Sequence, residues 1–184
     1  MTATEKLITA EELARTSIPD KQVELVRGRL VVREPPSTHH GAVAGNLAFE
    51  LSVFVREKKL GQVFPQDTGF KIASDPDTVR GPDVAFVSKE RLGRIPDEGY
   101  ADLVPDLAVE ILSPSDRPGE VLARIGDWLD AGARCAWLID PRRREARIFH
   151  ADGGVSVIGE DDSLDGGEVL PGFSCPLRAV LMNP

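Results

Sequence analysis

The sequence is poor in cysteine and in aromatic residues, and it contains no long hydrophobic run. Its two cysteines, Cys135 and Cys175, form neither a C-x-x-C pair nor a disulfide framework, so we expect buried thiols in a reducing compartment. No stretch approaches 18 apolar residues, which predicts that no helix spans a membrane. The first residues carry acids where a secretion signal needs a basic start and a continuous apolar run. These absences predict a cytoplasmic protein without a membrane partner.

Positive charge is also scarce. The 184 residues include 22 Lys and Arg against 30 Asp and Glu, a formal net charge of −8. Such a chain repels phosphate at long range, so a nucleic-acid-binding role needs a local basic patch. The sequence further lacks a G-x-S-x-G motif, a P-loop, a zinc finger and a helix-turn-helix signal, and His39-His40 has no cysteine or acid at ligand spacing. The sequence therefore disfavours a serine hydrolase, a P-loop protein that hydrolyses nucleoside triphosphates, and a zinc protein.

The residue pattern predicts an α/β fold. Residues 8–16 carry the capping box Thr9-x-x-Glu12 and predict a short helix. Residues 23–34 predict a β-hairpin that turns at Gly28, and residues 40–58 predict a long amphipathic helix. The run 105–112 is apolar except for one acid, which is typical of a strand covered on both faces. A further helix begins at Pro118, and the whole predicts a mixed sheet flanked by helices.

The acid inside that apolar run is the first candidate functional residue. Glu110 lies between Val109 and Ile111, where a carboxylate is costly unless it is paired, protonated or bound to a metal. Asp83 opens another strand directly after Pro82. Two acids on adjacent strands favour a magnesium site. The alternatives are a structural salt bridge for Glu110 and a turn-capping role for Asp83.

The segments GPDVAFV, VPDLAVEILSPSDR and CAWLIDP resemble the Uma2 family, formerly DUF820, of the PD-(D/E)xK restriction-endonuclease-like superfamily. The resemblance runs from about Glu24 to Phe173. It implies a single nuclease-fold domain over residues 1–184 with its core at about residues 20–175. It also implies Mg²⁺-dependent cleavage of DNA, with Mn²⁺ as a substitute, and a homodimer.

The resemblance also assigns site residues. It makes Asp83, Glu110 and the main-chain carbonyl of Ile111 the metal ligands. Leu112 stands where the E-x-K element has its lysine, and Arg124 occupies the position in the following helix to which the family moves that lysine. An arginine keeps the positive charge but cannot act as a general base. The alternative for Arg124 is an ion pair with Glu120 on the same helix.

Two further catalytic candidates follow from the resemblance. Glu24 matches an N-terminal glutamate and is predicted to make an outer metal contact, its alternative being a strand carboxylate that faces solvent. His40 occupies the histidine position before the long helix. It is predicted to bind a phosphate or to shuttle a proton, and its alternative is a structural histidine.

Basic residues supply the candidate substrate contacts. Arg80 fits the family pattern and is predicted to face a phosphate. Lys71, on a strand before Asp83, is predicted to replace the missing lysine. Arg27 and Arg29, together with Arg33, are predicted to form a stripe on the hairpin that faces DNA.

Three readings of the function remain open from the sequence. The first is a metal-dependent endonuclease. The second is a catalytically degenerate nuclease fold that binds nucleic acid or protein, which Leu112 and Arg124 favour. The third is an interaction module whose acids form salt bridges only.

Overall fold

Two large mixed sheets and a set of helices form the computed structural model, which describes residues 6–114 and 116–181. This confirms the predicted α/β fold class. The helices are α1 (Ala10–Ala14), α2 (Thr38–Lys58), α3 (Pro118–Asp130) and α4 (Leu177–Val180), and Lys89–Arg94 forms a 3₁₀ turn. No helix in this part of the chain is long and apolar enough to cross a membrane.

Local sequence explains the first elements. In α1 the Thr9 side chain accepts from the Glu12 N–H while the Glu12 carboxylate accepts from the Thr9 N–H, which confirms the predicted capping box. The hairpin turns at Arg27 and Gly28, whose φ angles of 50° and 75° fit a two-residue turn. A side chain at position 28 would lie 2.8 Å from Leu7 Cβ, so glycine is required there.

The predicted hairpin forms part of a five-stranded sheet that is separate from the central sheet. The strands of this sheet are, in spatial order, β2 (Arg29–Arg33), β1 (Gln22–Val26), β5 (Thr78–Arg80), β4 (Phe70–Ala73) and β7 (Ala101–Asp102). Leu25 of β1 pairs with Val79 of β5, and both pack against Leu13 of α1. The sequence predicts the hairpin but not this second sheet, because the β1–β5 pairing is long-range.

The other large sheet forms the central layer. Its order is β11 (Val155–Gly159), β10 (Glu145–His150), β9 (Cys135–Asp140), β8 (Leu107–Ile111), β6 (Val84–Ser88) and β3 (Gly61–Pro65). Strands β8 and β9 are parallel, and the remaining pairs are antiparallel. Every residue of β8 is buried, as its apolar sequence predicts. A small third sheet pairs β12 (Ser163–Asp165) with β13 (Ser174–Pro176).

Helices cover both faces of the central sheet. The buried side of α2 packs with Val84, Val109 and Ile111 on one face. On the other face, α3 contributes Val121 and Ile125 to a cluster with Ala136 and Leu138, and Trp128 to a second cluster. Both cysteines are free and buried, as predicted.

The two large sheets meet at one short connection. Residues 81–83 join the end of β5 in the first sheet to the start of β6 in the second. The carboxyl end of β8 lies beside the start of β6, because Val84 pairs with Val109. This junction brings the predicted site residues of both sheets together.

Candidate active site

Asp83 and Glu110 lie side by side at the junction. The Asp83 N–H donates to the carbonyl of Val109 at 2.9 Å, although Val109 is already the register partner of Val84, so Asp83 is an extra residue placed beside Val109 at the start of β6. The Asp83 carboxylate accepts from the Ile111 N–H at 2.7 Å and from Gln66 Nε2 at 3.1 Å. The pairing of β6 with β8 and the bond from the Ile111 N–H thus bring together residues 27 positions apart.

Glu110 is almost completely buried, with 1% of its surface exposed. Its carboxylate accepts hydrogen bonds from Arg124 and, at 2.8 Å, from Trp128 Nε1. Burial raises the pKa of Glu110 to about 7 although the charge of Arg124 opposes the rise. The structure pairs Arg124 with Glu110 rather than with Glu120, whose carboxylate contacts Arg117 at 3.3 Å. The helix-surface alternative for Arg124 is therefore wrong.

His40 contacts two of the three predicted metal ligands. Its Nε2 lies 3.0 Å from the Ile111 carbonyl oxygen and 3.2 Å from Asp83 Oδ2. Both are acceptors, so Nε2 carries a proton in this arrangement. Burial lowers the pKa of His40, but the hydrogen bond and the charge of Asp83 outweigh it, so the pKa is raised. The ring is buried and directed at Asp83 and Ile111, and it thereby holds both groups in place.

Glu24 forms a buried ion network beside this pair. It is 8% exposed, so the alternative of a carboxylate facing solvent is wrong. Its Oε2 lies 3.0 Å from Arg80 Nη1 and 3.3 Å from Arg33 Nε, and its Oε1 accepts from the Gly81 N–H at 3.1 Å. Arg80 Nε also donates to Asp127 at 2.9 Å. Arg80 is thus held between two acids within the protein.

Three predicted substrate contacts lie elsewhere. Lys71 Nζ lies 3.1 Å from Asp77 Oδ1, and Asp77 also accepts from the Ala10 N–H at the start of α1. The structure does not bring Lys71 to Asp83 and Glu110. Arg27 is exposed in the hairpin turn and Arg29 is exposed at the start of β2.

A cavity of about 360 Å³ opens between the hairpin and the junction. Its lining includes Glu24, Arg33, Gln66, Asp83, Tyr100 and Arg124. The Nε atom of Arg124 is buried and donates no hydrogen bond within the described residues. A buried donor without a partner is costly, and the acids and cations that line the cavity give it a strongly polar wall.

Sequence reasoning missed Trp128 and left Gln66 without a role. Trp128 follows Arg124 by one helical turn, so both share a face of α3 and both reach Glu110. That spacing is the signal that identifies Trp128 once Arg124 is singled out. Gln66 follows β3, and only the pairing of β3 with β6 brings it to Asp83.

We expect Trp128→Phe to lower the free energy of unfolding by about 1.5–3 kcal/mol more than Trp137→Phe does. Both rings are buried, but Trp128 Nε1 donates to the Glu110 carboxylate, whereas Trp137 Nε1 interacts with the thiol of Cys135, a much weaker acceptor. Chemical denaturation of the two variants measures the difference. Equal losses would show that the Trp128–Glu110 hydrogen bond contributes nothing beyond packing.

The donor set at the junction fits a hard divalent cation. Asp83, Glu110 and the Ile111 carbonyl offer oxygen atoms, and Mg²⁺ takes one or two carboxylates while keeping several waters. The charges of Asp83 and Glu24 both raise the pKa of Glu110, which shows that the three acids repel one another. A bound cation would reduce this repulsion. Among residues 6–114 and 116–181, no three side chains of His, Cys, Asp or Glu form a metal-binding group. A site here therefore depends on the main-chain oxygen and on waters.

The chain is similar to one family of proteins and to a solved structure. None of the curated proteins matches the chain. A crystal structure from Anabaena variabilis ATCC 29413, described as "a putative nuclease belonging to DUF820", is 19% identical, with a TM-score of 0.79 over 94% of this chain and 97% of that one. At this identity the likeness shows the fold. The profile of the Uma2 family, described as "Putative restriction endonuclease", matches residues 10–178. Because that match spans nearly the whole sequence, the chain belongs to the Uma2 family.

Proposed function

We propose that this protein is a Mg²⁺-dependent endonuclease that hydrolyses phosphodiester bonds of DNA. The observation that carries the proposal is the pair of acids, Asp83 and Glu110, close together at the sheet junction beside Ile111. The family description and the description of the structural neighbour support a nuclease-like function. In this proposal Asp83, Glu110 and the Ile111 carbonyl hold the metal ion.

The surrounding residues position these ligands. The Ile111 N–H, Gln66 and His40 fix the Asp83 carboxylate, and His40 also fixes the Ile111 carbonyl. Trp128 and Arg124 orient Glu110 from α3. Preorganised groups of this kind lower the cost of reaching the transition state, because they need no rearrangement during the reaction.

Arg124 supplies the positive charge in the proposed reaction. Its guanidinium remains protonated at all working pH values, so it stabilises negative charge on the phosphate and does not remove a proton. Arg124 lines the cavity together with Asp83, which supports this role. A bound Mg²⁺ would polarise the phosphate and lower the pKa of a bound water.

Substrate binding is expected to be weak and sensitive to salt. The net charge of −8 repels DNA, so basic side chains close to the site must supply the attraction. Arg33 lines the cavity, while Arg27 and Arg29 lie on the same hairpin. Arg80 and Lys71 are engaged with acids of the protein, and in this proposal they support the walls of the site.

A second candidate function is binding of nucleic acid without cleavage. One observation favours it: both oxygens of Glu110 already accept from protein donors, Arg124 and Trp128. If the guanidinium replaces the metal ion permanently, the fold keeps a binding surface and loses the reaction. Metal binding separates the two candidates.

We expect the purified protein to nick supercoiled plasmid DNA in millimolar MgCl₂ or MnCl₂ and to stop when EDTA is added. Calorimetric titration with MnCl₂ is expected to show one site that the Asp83→Asn variant lacks. The control is that variant, purified in parallel, which reveals any contaminating nuclease. Absence of cleavage together with absence of Mn²⁺ binding would contradict the proposal, and retained DNA binding would then establish the second candidate.

A further inference from the structure

Tyr100 places an aromatic ring in the wall of the candidate catalytic cavity. Among the lining residues in the described part of the chain, it is the one aromatic side chain. The ring packs against a cluster that includes Leu25 and Val79, yet it remains partly exposed. Both tryptophans are instead buried in the core. Tyr100 therefore offers an aromatic surface in the cavity where the proposed substrate binds.

Two glycines lie between Tyr100 and the acids of the site. Gly81 follows β5 and Gly69 precedes β4, and these strands are antiparallel, so the two glycines are neighbours. Strands β4 and β7 are parallel, so Tyr100, which precedes β7, lies on the other side of Gly69. Both glycines line the cavity, and Asp83 comes two residues after Gly81. The path from the ring to Asp83 thus crosses two residues without side chains, where a ligand can approach the backbone closely.

The glycine at position 69 makes room for the ring. A Cβ there would lie 2.6 Å from Tyr100 Cε1 and 2.7 Å from Tyr100 Cδ1, much closer than carbon atoms pack. The φ angle of Gly69 is not positive, so the contact with the ring, and not the backbone conformation, requires glycine. The ring is therefore held in one position before a ligand arrives, which lowers the cost of stacking on it.

Basic side chains line the same cavity, among them Lys21, Arg33 and Arg124. Lys21 contacts Glu34, whose side chain is 79% exposed. Exposed pairs of this kind are weak, so Lys21 can turn to a phosphate group. An aromatic surface beside basic side chains is the combination by which proteins bind single-stranded nucleic acid.

The depth of the site also favours an unpaired strand. Asp83 is 8% exposed and Glu110 1% exposed, so both acids are recessed. The cavity of about 360 Å³ is near the lower end of the size range of small-ligand sites, which suits one nucleotide and not a duplex. Within a duplex, neighbouring bases cover the faces of each base, so an enzyme with a recessed site acts on an unpaired or extruded nucleotide.

We propose that the substrate is unpaired, single-stranded DNA, with one base stacked on Tyr100 and the adjoining phosphate at the end of the cavity that Asp83 and Arg124 line. This inference rests on the proposed function, because it takes this cavity as the substrate site. Stacking discriminates little between bases, so we expect little sequence preference. Supercoiled plasmid is a substrate in this proposal because negative supercoiling favours local unpairing.

Fluorescence anisotropy of a labelled oligonucleotide, in EDTA and low salt, measures binding under conditions where the proposed cleavage does not proceed. We expect the wild type to bind the single strand about 10-fold or more tightly than the duplex of the same sequence. Tyr100→Leu is expected to raise the dissociation constant for the single strand about 10-fold, because the stacking surface is lost. Tyr100→Phe keeps the ring and is expected to stay within about 2-fold of the wild type.

Two substitutions elsewhere serve as controls. Gly69→Ala is expected to weaken binding by displacing the ring, whereas Gly126→Ala, in a part of α3 with open space around it, leaves binding unchanged. Phe149→Leu removes an aromatic ring that packs beside α3, away from the cavity, and is expected to bind as the wild type does. Melting temperatures show that each variant is folded.

Equal affinity of the wild type for the single strand and the duplex would overturn the proposal. So would wild-type binding by Tyr100→Leu, or a loss in Tyr100→Phe as large as that in Tyr100→Leu. Cleavage in MgCl₂ with binding that does not depend on Tyr100 would leave the nuclease function standing and remove this inference alone. Binding of the single strand through Tyr100 without any cleavage would do the reverse.

Discussion

Replacing Asp83 with asparagine is expected to lower the rate of plasmid cleavage by about 100-fold or more, since a bound metal ion contributes several kcal/mol to transition-state stabilisation. The amide oxygen of asparagine still accepts the hydrogen bond of the Ile111 N–H, so the local backbone is preserved. The change removes the negative charge beside Glu110. Gel-based nicking assays at several MgCl₂ concentrations measure the rate and show whether more metal restores it.

The control for this substitution is Asp152→Asn. Asp152 is an exposed acid that also accepts from a backbone N–H, that of Gly154 at 2.8 Å, and it lies in the turn after β10. We expect wild-type cleavage from this variant and a melting temperature close to that of the wild type. Cleavage by Asp83→Asn at the wild-type rate would show that Asp83 is not a metal ligand in the reaction.

Replacing Arg124 with methionine is expected to lower the free energy of unfolding by about 3–5 kcal/mol, because it leaves Glu110 buried beside other acids without its cationic partner. Glu110 is 1% exposed, and the charges of Asp83 and Glu24 act on it in addition to burial. Urea denaturation near pH 8 measures the loss. The double variant Arg124→Met, Glu110→Gln is expected to recover part of it, since the uncompensated charge is gone.

The matched control is Arg117→Met, which removes an arginine at the start of the same helix. Arg117 and Glu120 form an exposed pair at 3.3 Å, with side chains 82% and 60% exposed, and exposed pairs contribute about 0–1 kcal/mol. A double-mutant cycle on Arg124 and Glu110 then isolates their interaction. A cycle energy near zero would show that the two groups do not stabilise each other.

Local patterns account for the elements that the sequence predicts well. The capping box of Thr9 and Glu12, the turn at Gly28 and the apolar run of β8 each depend on interactions within a few residues. Motif likeness adds Asp83, which the structure places directly before β6, and Glu110, which it places on the neighbouring strand β8. These predictions needed no knowledge of how distant segments pack.

Other features depend on contacts between distant segments. From the sequence, Glu24 could be a carboxylate that faces solvent. The structure instead buries it in an ion pair with Arg80. Lys71 lies on β4, one of the strands that precede Asp83, yet its side chain contacts Asp77 in the turn before β5. No spacing rule connects Glu24 with Arg80, because the pairing of β1 with β5 is long-range. Lys71 and Asp77, by contrast, belong to the same β4–β5 hairpin.

The sequence by itself determined the fold class, the family likeness and the two acids, because each is encoded in residue type and short spacing. Only the tertiary structure decided that Arg124 and Trp128 bind Glu110, that His40 spans Asp83 and Ile111, and that Arg80 is held between acids. The physical reason is burial. The energy of a charge depends on which groups replace its water, and those groups come from strands and helices far apart in the chain.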